Sequence, residues 1–142
     1  MISVQLAKTH FWQTPAEAYI IILKNGMEAL ANSATLEHIE KTYYPHLKQI
    51  LKKHQFEGEK GQSFVLTGEQ NGSLVQFIFV GVGHLNGRWD QELETIRRAI
   101  GTGVQTMRSL KITSGAIALP TDSLITLSAG EMLQQMVIVA HM

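Results

Sequence analysis

Hydrophobic and polar positions divide the chain into short, distinct elements. In Ile2 to Ala7, Val4 and Leu6 alternate with polar neighbours, the period-two pattern of a half-buried strand, and Ala18 to Leu23 is a second, more continuous apolar run. Between them, Thr9-His10-Phe11-Trp12-Gln13-Thr14-Pro15 reads as loop, and Asn25-Gly26 closes the second strand. Met27 to Ala34 fits either a short helix or an irregular turn. From Thr35 to His54 the spacing becomes helical, through Leu36, Ile39 and Tyr43 and then Leu47, Ile50 and Leu51, but Pro45 interrupts it. Proline costs about 3 kcal/mol inside a helix and is tolerated in its first turn. Two short helices are therefore expected, the second starting near Pro45 with Lys48, Lys52 and Lys53 on its outer face.

Gln62 to Gly68 and Ser73 to Val82 flank Glu69-Gln70-Asn71-Gly72, and Asn-Gly favours the positive φ values of a tight hairpin turn. Leu74-Val75-Gln76-Phe77-Ile78-Phe79-Val80 is apolar on both faces apart from Gln76, as in a central strand covered on both sides. Helices should therefore lie on each face of the sheet. The longest runs from about Arg88 to Leu110, with Trp89, Leu93, Ile96, Ile100, Val104 and Met107 recurring at intervals of three and four. Asn86 or Gly87 is its expected start, and Gly101 and Gly103 are expected to bring its backbone close to the sheet. Gly115 to Leu119 reads as a short buried strand closed by Pro120. Ser128 to Met142 reads as a helix through Met132, Leu133, Met136 and Val137, although Met136 to Ala140 alone also fits a strand. No repeat or linker interrupts the chain, which the pattern makes one α/β domain with a mixed sheet.

Composition removes several chemistries from this domain. Of 142 residues 44% are hydrophobic, enough for a substantial core, and there is no cysteine to form a disulfide, a thiolate metal site or a nucleophile. Twelve basic residues balance twelve acidic ones, so the overall charge favours neither nucleic acid nor an anionic membrane. No stretch reaches the roughly 18 to 20 apolar residues of a membrane span, and the start lacks the pattern of a signal peptide, so a cytoplasmic location is expected. Only Asp90 and Asp122 are aspartates. A two-metal hydrolase or a triad with a buried Asp would depend on that pair.

Three groups of residues invite a functional reading. The six histidines, His10, His38, His46, His54, His84 and His141, contain no His-Glu-x-x-His run and no i,i+4 pair, which makes surface or loop positions the simpler account. Gly81-Val82-Gly83-His84-Leu85-Asn86-Gly87 joins a buried strand to a helix, where backbone N–H groups and the helix dipole can hold a phosphate; Gly81, Gly83 and Gly87 are the candidates. Three residues separate Gly83 from Gly87 where the dinucleotide fingerprint has two, and close packing in the turn explains the same glycines. Arg97, Arg98, Arg108 and Lys111 form a candidate anion or DNA patch, set against a solvated face paired with Glu92 and Glu94. No aromatic residues interleave with these charges.

Ordered segments add a family resemblance. Phe79-Val80-Gly81-Val82-Gly83, then Arg97-Arg98-Ala99-Ile100-Gly101-Thr102-Gly103-Val104, then Ala116-Ile117-Ala118-Leu119-Pro120, resemble the amino-terminal domain of the cytosolic leucine aminopeptidases. Phe56-Glu57-Gly58-Glu59-Lys60-Gly61 looks like that domain's Phe-x-Gly-Lys-x-Gly region. The resemblance covers Ile2 to Met142 and implies a three-layer, macro-domain-like α/β fold, a mixed sheet flanked by helices, preceding a separate carboxy-terminal peptidase domain. In such enzymes the second domain binds two divalent metals, zinc or manganese, and carries an Asn-Thr-Asp-x-Glu-Gly-Arg segment that is not present here; Thr121-Asp122-Ser123 does not replace it. No catalytic or metal-binding residue carries over. The resemblance thus implies residues 1–142 as one non-catalytic domain, an excised or truncated piece of a peptidase that removes amino-terminal residues from peptides. The implied partners are its own catalytic domain and neighbouring subunits of a homo-hexamer, with a role in assembly and active-site access. Some bacterial members also bind DNA, which this neutral chain supports little. A stand-alone macro-like module binding ADP-ribose or a related nucleotide at Gly81 to Gly87 is the alternative.

Overall fold

A computed structural model describes residues 3–6, 16–26, 34–70, 72–83 and 89–118. The elements are β1 (Ser3–Leu6), β2 (Ala18–Leu23), α1 (Ala34–Thr42), α2 (Leu47–Lys53), β3 (Ser63–Gln70), β4 (Ser73–Gly81), α3 (Trp89–Ser109) and β5 (Ser114–Ala118). The five strands form one sheet in the order β1-β5-β2-β4-β3. β1 pairs with β5, β5 with β2 and β2 with β4 in parallel, while β3 runs antiparallel to β4 at the edge. The sheet is therefore mixed, as the pattern predicts, and the expected helix at Ser128 to Met142 and the stop at Pro120 lie outside the described residues.

Both faces of the central strands are buried, and the side chains alternate between them. On one face Ala18, Ile20 and Ile22 of β2 and Ile78 and Val80 of β4 pack under Ile96, Ala99, Ile100, Val104 and Met107 of α3. On the other, Tyr19, Ile21 and Leu23 and Val75, Phe77 and Phe79 pack under Leu36 and Ile39 of α1 and Leu47 and Leu51 of α2. This is the three-layer arrangement that a strand apolar on both sides requires.

Local chemistry explains the element boundaries. Pro45 separates α1 from α2, and the backbone turns between them through His46 in the left-handed region (φ 67°). His46 makes no side-chain cap bond; the Lys48 N–H in the first turn of α2 instead donates to Glu40 Oε2 of α1 at 3.0 Å. The β3–β4 hairpin is longer than its polar residues suggest, because Glu69 and Gln70 continue the ladder opposite Leu74 and Ser73, leaving a two-residue turn in place of the expected four. Side chains at an exposed tip are free to be polar while the backbone still pairs. Of the two helix glycines, Gly103 alone approaches the sheet: a Cβ there would lie 2.7 Å from Ile20 Cδ1 and Cγ2, whereas one on Gly101 meets nothing within 4 Å. Two positions along a helix is about 200° around it, so the two glycines face opposite ways and the expectation for Gly101 is corrected.

Candidate functional site

The connections of β2 and β4 define the place where an α/β sheet ordinarily holds a ligand. These neighbours run parallel, yet the chain leaves β2 for α1 and α2 on one face and leaves β4 for α3 on the other. Adjacent strands whose following helices go to opposite faces open a crevice outside their carboxyl ends. Lys24-Asn25-Gly26 and Gly81-Val82-Gly83 stand there, so two of the three candidate phosphate-loop glycines are at the position where such a site would form.

The chain's own backbone crosses this crevice. The Gly81 N–H donates to Gln62 O at 2.9 Å, Val82 N–H to Leu23 O at 3.0 Å and Gly83 N–H to Gly58 O at 2.9 Å. From the other lip, Asn25 N–H donates to Gly83 O at 3.0 Å and Gly26 N–H to Glu57 O at 3.1 Å. A Cβ on Gly81 would strike the carbonyls of Gly58 and Glu59, and one on Gly58 would strike that of Lys24. These glycines permit three stretches of backbone to meet without side chains between them. Gln62 fixes the crossing segment: its Oε1 accepts from the N–H groups of Glu57 and Glu59, and its Nε2 donates to Gln55 O, each at 3.0 Å. Sequence reasoning missed Gln62, since nothing distinguishes a loop-pinning glutamine from a solvated one before the loop's path is known.

The N–H groups at 81 to 83 are thus committed to carbonyls, and Gly81, Val82 and Gly83 are all buried. Gly87, with the rest of His84 to Arg88, lies outside the described residues. Lys60 packs beside Gly83, 3.4 Å from where its Cβ would be.

The arginine group separates into two parts. Arg97 grips Glu94 with Nε at 3.0 Å and Nη2 at 2.7 Å from Oε2, while Arg98 Nε donates to Oε1 at 2.9 Å. Hydrogen bonds from Arg97 and then Arg98 hold the Glu94 carboxyl below the usual carboxylate range. Arg108 is ten residues beyond Arg98, about 15 Å along the axis at 1.5 Å per residue. Lys111 follows the helix with φ 60°. The helix therefore brings Arg97 and Arg98 together on one carboxylate and sets Arg108 and Lys111 apart from them.

Nor do the described histidines converge. His38 Nε2 is 3.5 Å from Thr42 Oγ1, His46 is exposed and His54 lies against the Phe64 ring; His10, His84 and His141 fall outside the described residues. Among the described residues no group of three or more His, Cys, Asp or Glu side chains could hold a metal ion.

Comparison with known proteins supplies what the side chains do not. Residues 20–142 match the model of the cytosol aminopeptidase family, N-terminal domain. The chain belongs to this family. Within it, a probable cytosol aminopeptidase of Thermosynechococcus vestitus is 29% identical over 94 residues, covering 66% of this chain and 18% of that protein. The chain thus spans under a fifth of this relative's length. A tomato leucine aminopeptidase mutant superposes with a TM-score of 0.69 at 18% identity, over 99% of this aminopeptidase-family chain and 28% of the tomato chain. The macrodomain of Thermus aquaticus DarG superposes with a TM-score of 0.66 at 12% identity, over 99% and 92% of the two chains. The fold of this aminopeptidase N-terminal domain is therefore macro-domain-like, as the resemblance implied. No helix among its described residues is long and apolar enough to cross a membrane.

Proposed function

We propose that the chain is the non-catalytic amino-terminal domain of a two-metal leucyl aminopeptidase, a cytoplasmic hydrolase removing amino-terminal residues from peptides. In this reading residues 1–142 serve subunit assembly, a homo-hexamer in the parent, and access to its active sites. Zinc or manganese and the peptide substrate belong to the catalytic domain. The match of residues 20–142 to the family's N-terminal domain carries the proposal. The crevice closed by residues 57–62 supports it, because a sheet whose ligand-binding end is filled with its own backbone suits a scaffold. The pairing of Arg97 and Arg98 with Glu94 likewise supports a protein partner over DNA.

An aminoacyl chromogenic substrate with zinc or manganese tests the proposal directly. The expected result is no turnover by this chain; metal-dependent turnover surviving purification to homogeneity would overturn it. The nucleotide-binding alternative draws on the 92% coverage of the DarG macrodomain. Calorimetry with ADP-ribose at millimolar concentration separates the two readings: no heat of binding supports the scaffold, and a saturable isotherm supports the nucleotide module.

A further inference from the structure

We propose that Asn25-Gly26 is a deamidation site which the crossing segment 57–62 holds shut, so that conversion of Asn25 to aspartate and isoaspartate follows the opening of the crevice and then keeps it open. The inference goes beyond the scaffold reading and does not depend on it. Asparagine followed by glycine is the pair most prone to this reaction, because glycine sets no side chain against the ring that must form. Three such pairs occur in the chain, at 25–26, 71–72 and 86–87, and the first stands at the lip of the crevice. Gly26 takes φ 119°, a conformation that L side chains rarely adopt, so the turn after β2 requires glycine and keeps the pair reactive.

The chemistry needs only the chain and water. The backbone nitrogen of Gly26 attacks Asn25 Cγ, forming an N–Cγ bond that closes a succinimide ring. The side-chain amide nitrogen leaves as ammonia, with the proton that Gly26 gives up. Water then cleaves one of the two N–C bonds of the ring. Cleavage at Cγ leaves aspartate, and cleavage at the main-chain carbonyl carbon leaves isoaspartate.

The crevice withholds the nucleophile. Gly26 N–H donates to Glu57 O at 3.1 Å, which holds the proton that must leave, and Asn25 N–H donates to Gly83 O at 3.0 Å. The peptide groups on both sides of the asparagine are thereby fixed against the rotation that ring closure needs. Glu57 is itself held twice, through its C=O by Gly26 and through its N–H by Gln62 Oε1 at 3.0 Å. Gln62 also binds Glu59 N–H and Gln55 O, and Gly58 O accepts from Gly83, so the segment moves as one piece. Its departure frees the Gly26 nitrogen while β2 stays paired with β4 and β5 over Ala18–Leu23. Gln62 is thus a positioning residue for the shield. Isoaspartate then inserts a methylene into the main chain between the Asn25 and Gly26 nitrogens. The Gly26 donor no longer meets Glu57 O while Asn25 remains on Gly83, and the segment cannot close in its first register.

Peptide mapping by mass spectrometry, with aspartyl and isoaspartyl forms separated by chromatography, measures conversion at each pair during incubation at mildly alkaline pH. In the folded chain Asn25 should convert at least about tenfold more slowly than in the same chain unfolded in guanidinium chloride. Gln62→Ala should raise the folded rate at Asn25 by about tenfold, with circular dichroism and the rate at Asn71 unchanged. Wild-type protein in guanidinium below its unfolding transition gives the same answer where that variant does not fold: conversion at Asn25 should rise in proportion to hydrogen exchange of the Gly26 amide. The purified isoaspartyl form should exchange fast at Gly26 and Gly83 while Ile20 and Ile78 stay protected. Equal rates at Asn25 in folded and unfolded chains overturn the inference. A folded Gln62→Ala with the wild-type rate, or with Asn25 and Asn71 accelerated alike, does the same, as does conversion that rises without faster Gly26 exchange. Slow exchange at Gly26 and Gly83 in the isoaspartyl form would overturn the trapping step.

Discussion

The two faces of the sheet use the same strands and fill space in opposite ways. Under α3 the core is aliphatic, built from Ala18, Ile20, Ile22, Ile78, Val80, Ile96, Ile100, Val104 and Met107, and Gly103 lets the helix rest on Ile20. Under α1 and α2 it is aromatic: Phe77 lies 5.9 Å from Tyr19, 4.9 Å from Tyr43 and 6.5 Å from Phe79, and Phe56 is 6.5 Å from Phe79. One continuous helix of 21 residues can follow the sheet closely. Two short helices of nine and seven residues cover the other face, with the rings packed beneath them.

Removing the central ring should therefore produce the largest effect. Phe77 is fully buried and touches rings on three sides. Phe77→Ala is expected to destabilise the fold by about 3–5 kcal/mol, the range for a buried ring whose neighbours collapse only partly. Urea unfolding followed by circular dichroism measures it. On the aliphatic face, Ile78→Val deletes one methylene and should cost about 0.5–1.5 kcal/mol. Equal losses would show that the rings are not what supports the short helices.

Much of this architecture was legible in the sequence because both faces leave periodic signals. Ala18 to Leu23 matches β2, and the spacing from Ile96 to Met107 matches the buried stripe of α3. Pro45 separates two helices because its missing N–H and rigid ring act locally, whatever the rest of the chain does. The candidate site was less readable. Gly81 and Gly83 were visible as a strand-to-helix turn, but the segment that fills the crevice arrives from residues 57–62, across the sheet, and no local pattern encodes that approach. The salt bridges of Glu94 with Arg97 and Arg98 follow from i,i+3 and i,i+4 spacing, whereas the distance to Arg108 and Lys111 emerges only once the helix is built.

The two glycines of α3 sharpen the contrast between a face that lacks room and a surface that has it. Gly103→Ala sets a methyl carbon 2.7 Å from Ile20, and overpacking of this kind costs about 1–3 kcal/mol, partly offset by the better helix propensity of alanine. Ile20→Val removes Cδ1, one of the two atoms 2.7 Å from the new methyl, and leaves Cγ2 in place. The double variant should then lose less than the sum of the single losses, a coupling readable in a double-mutant cycle. Gly101→Ala enters open space and should stabilise by about 0.5–1 kcal/mol, through propensity and a less flexible unfolded chain. A stabilising Gly103→Ala would mean that α3 stands further from the sheet than its contacts indicate.

The smallest expected effect separates the faces by pH, because the aliphatic cluster contains no titratable group and the aromatic one holds Tyr19, with Tyr43 and Tyr44 packed beside it. Burial, reinforced by the neighbouring Tyr43, raises the Tyr19 pKa above its ordinary 10.0, against a hydrogen bond with the Ala16 backbone; burial also raises that of Tyr43. A folded-state pKa above the unfolded value means the folded protein holds its proton more tightly. The resulting stability is fully present below pH 10 and is lost as pH rises through the folded pKa. Melting temperature should thus fall over that alkaline interval, and tyrosinate absorbance should show two phenols titrating late or only with unfolding. Tyr19→Phe should remove more of this pH dependence than Tyr43→Phe, since Tyr19 is 4% exposed and carries the additional influence of its neighbour. An alkaline decline of the same size in both variants would place its origin outside the aromatic face.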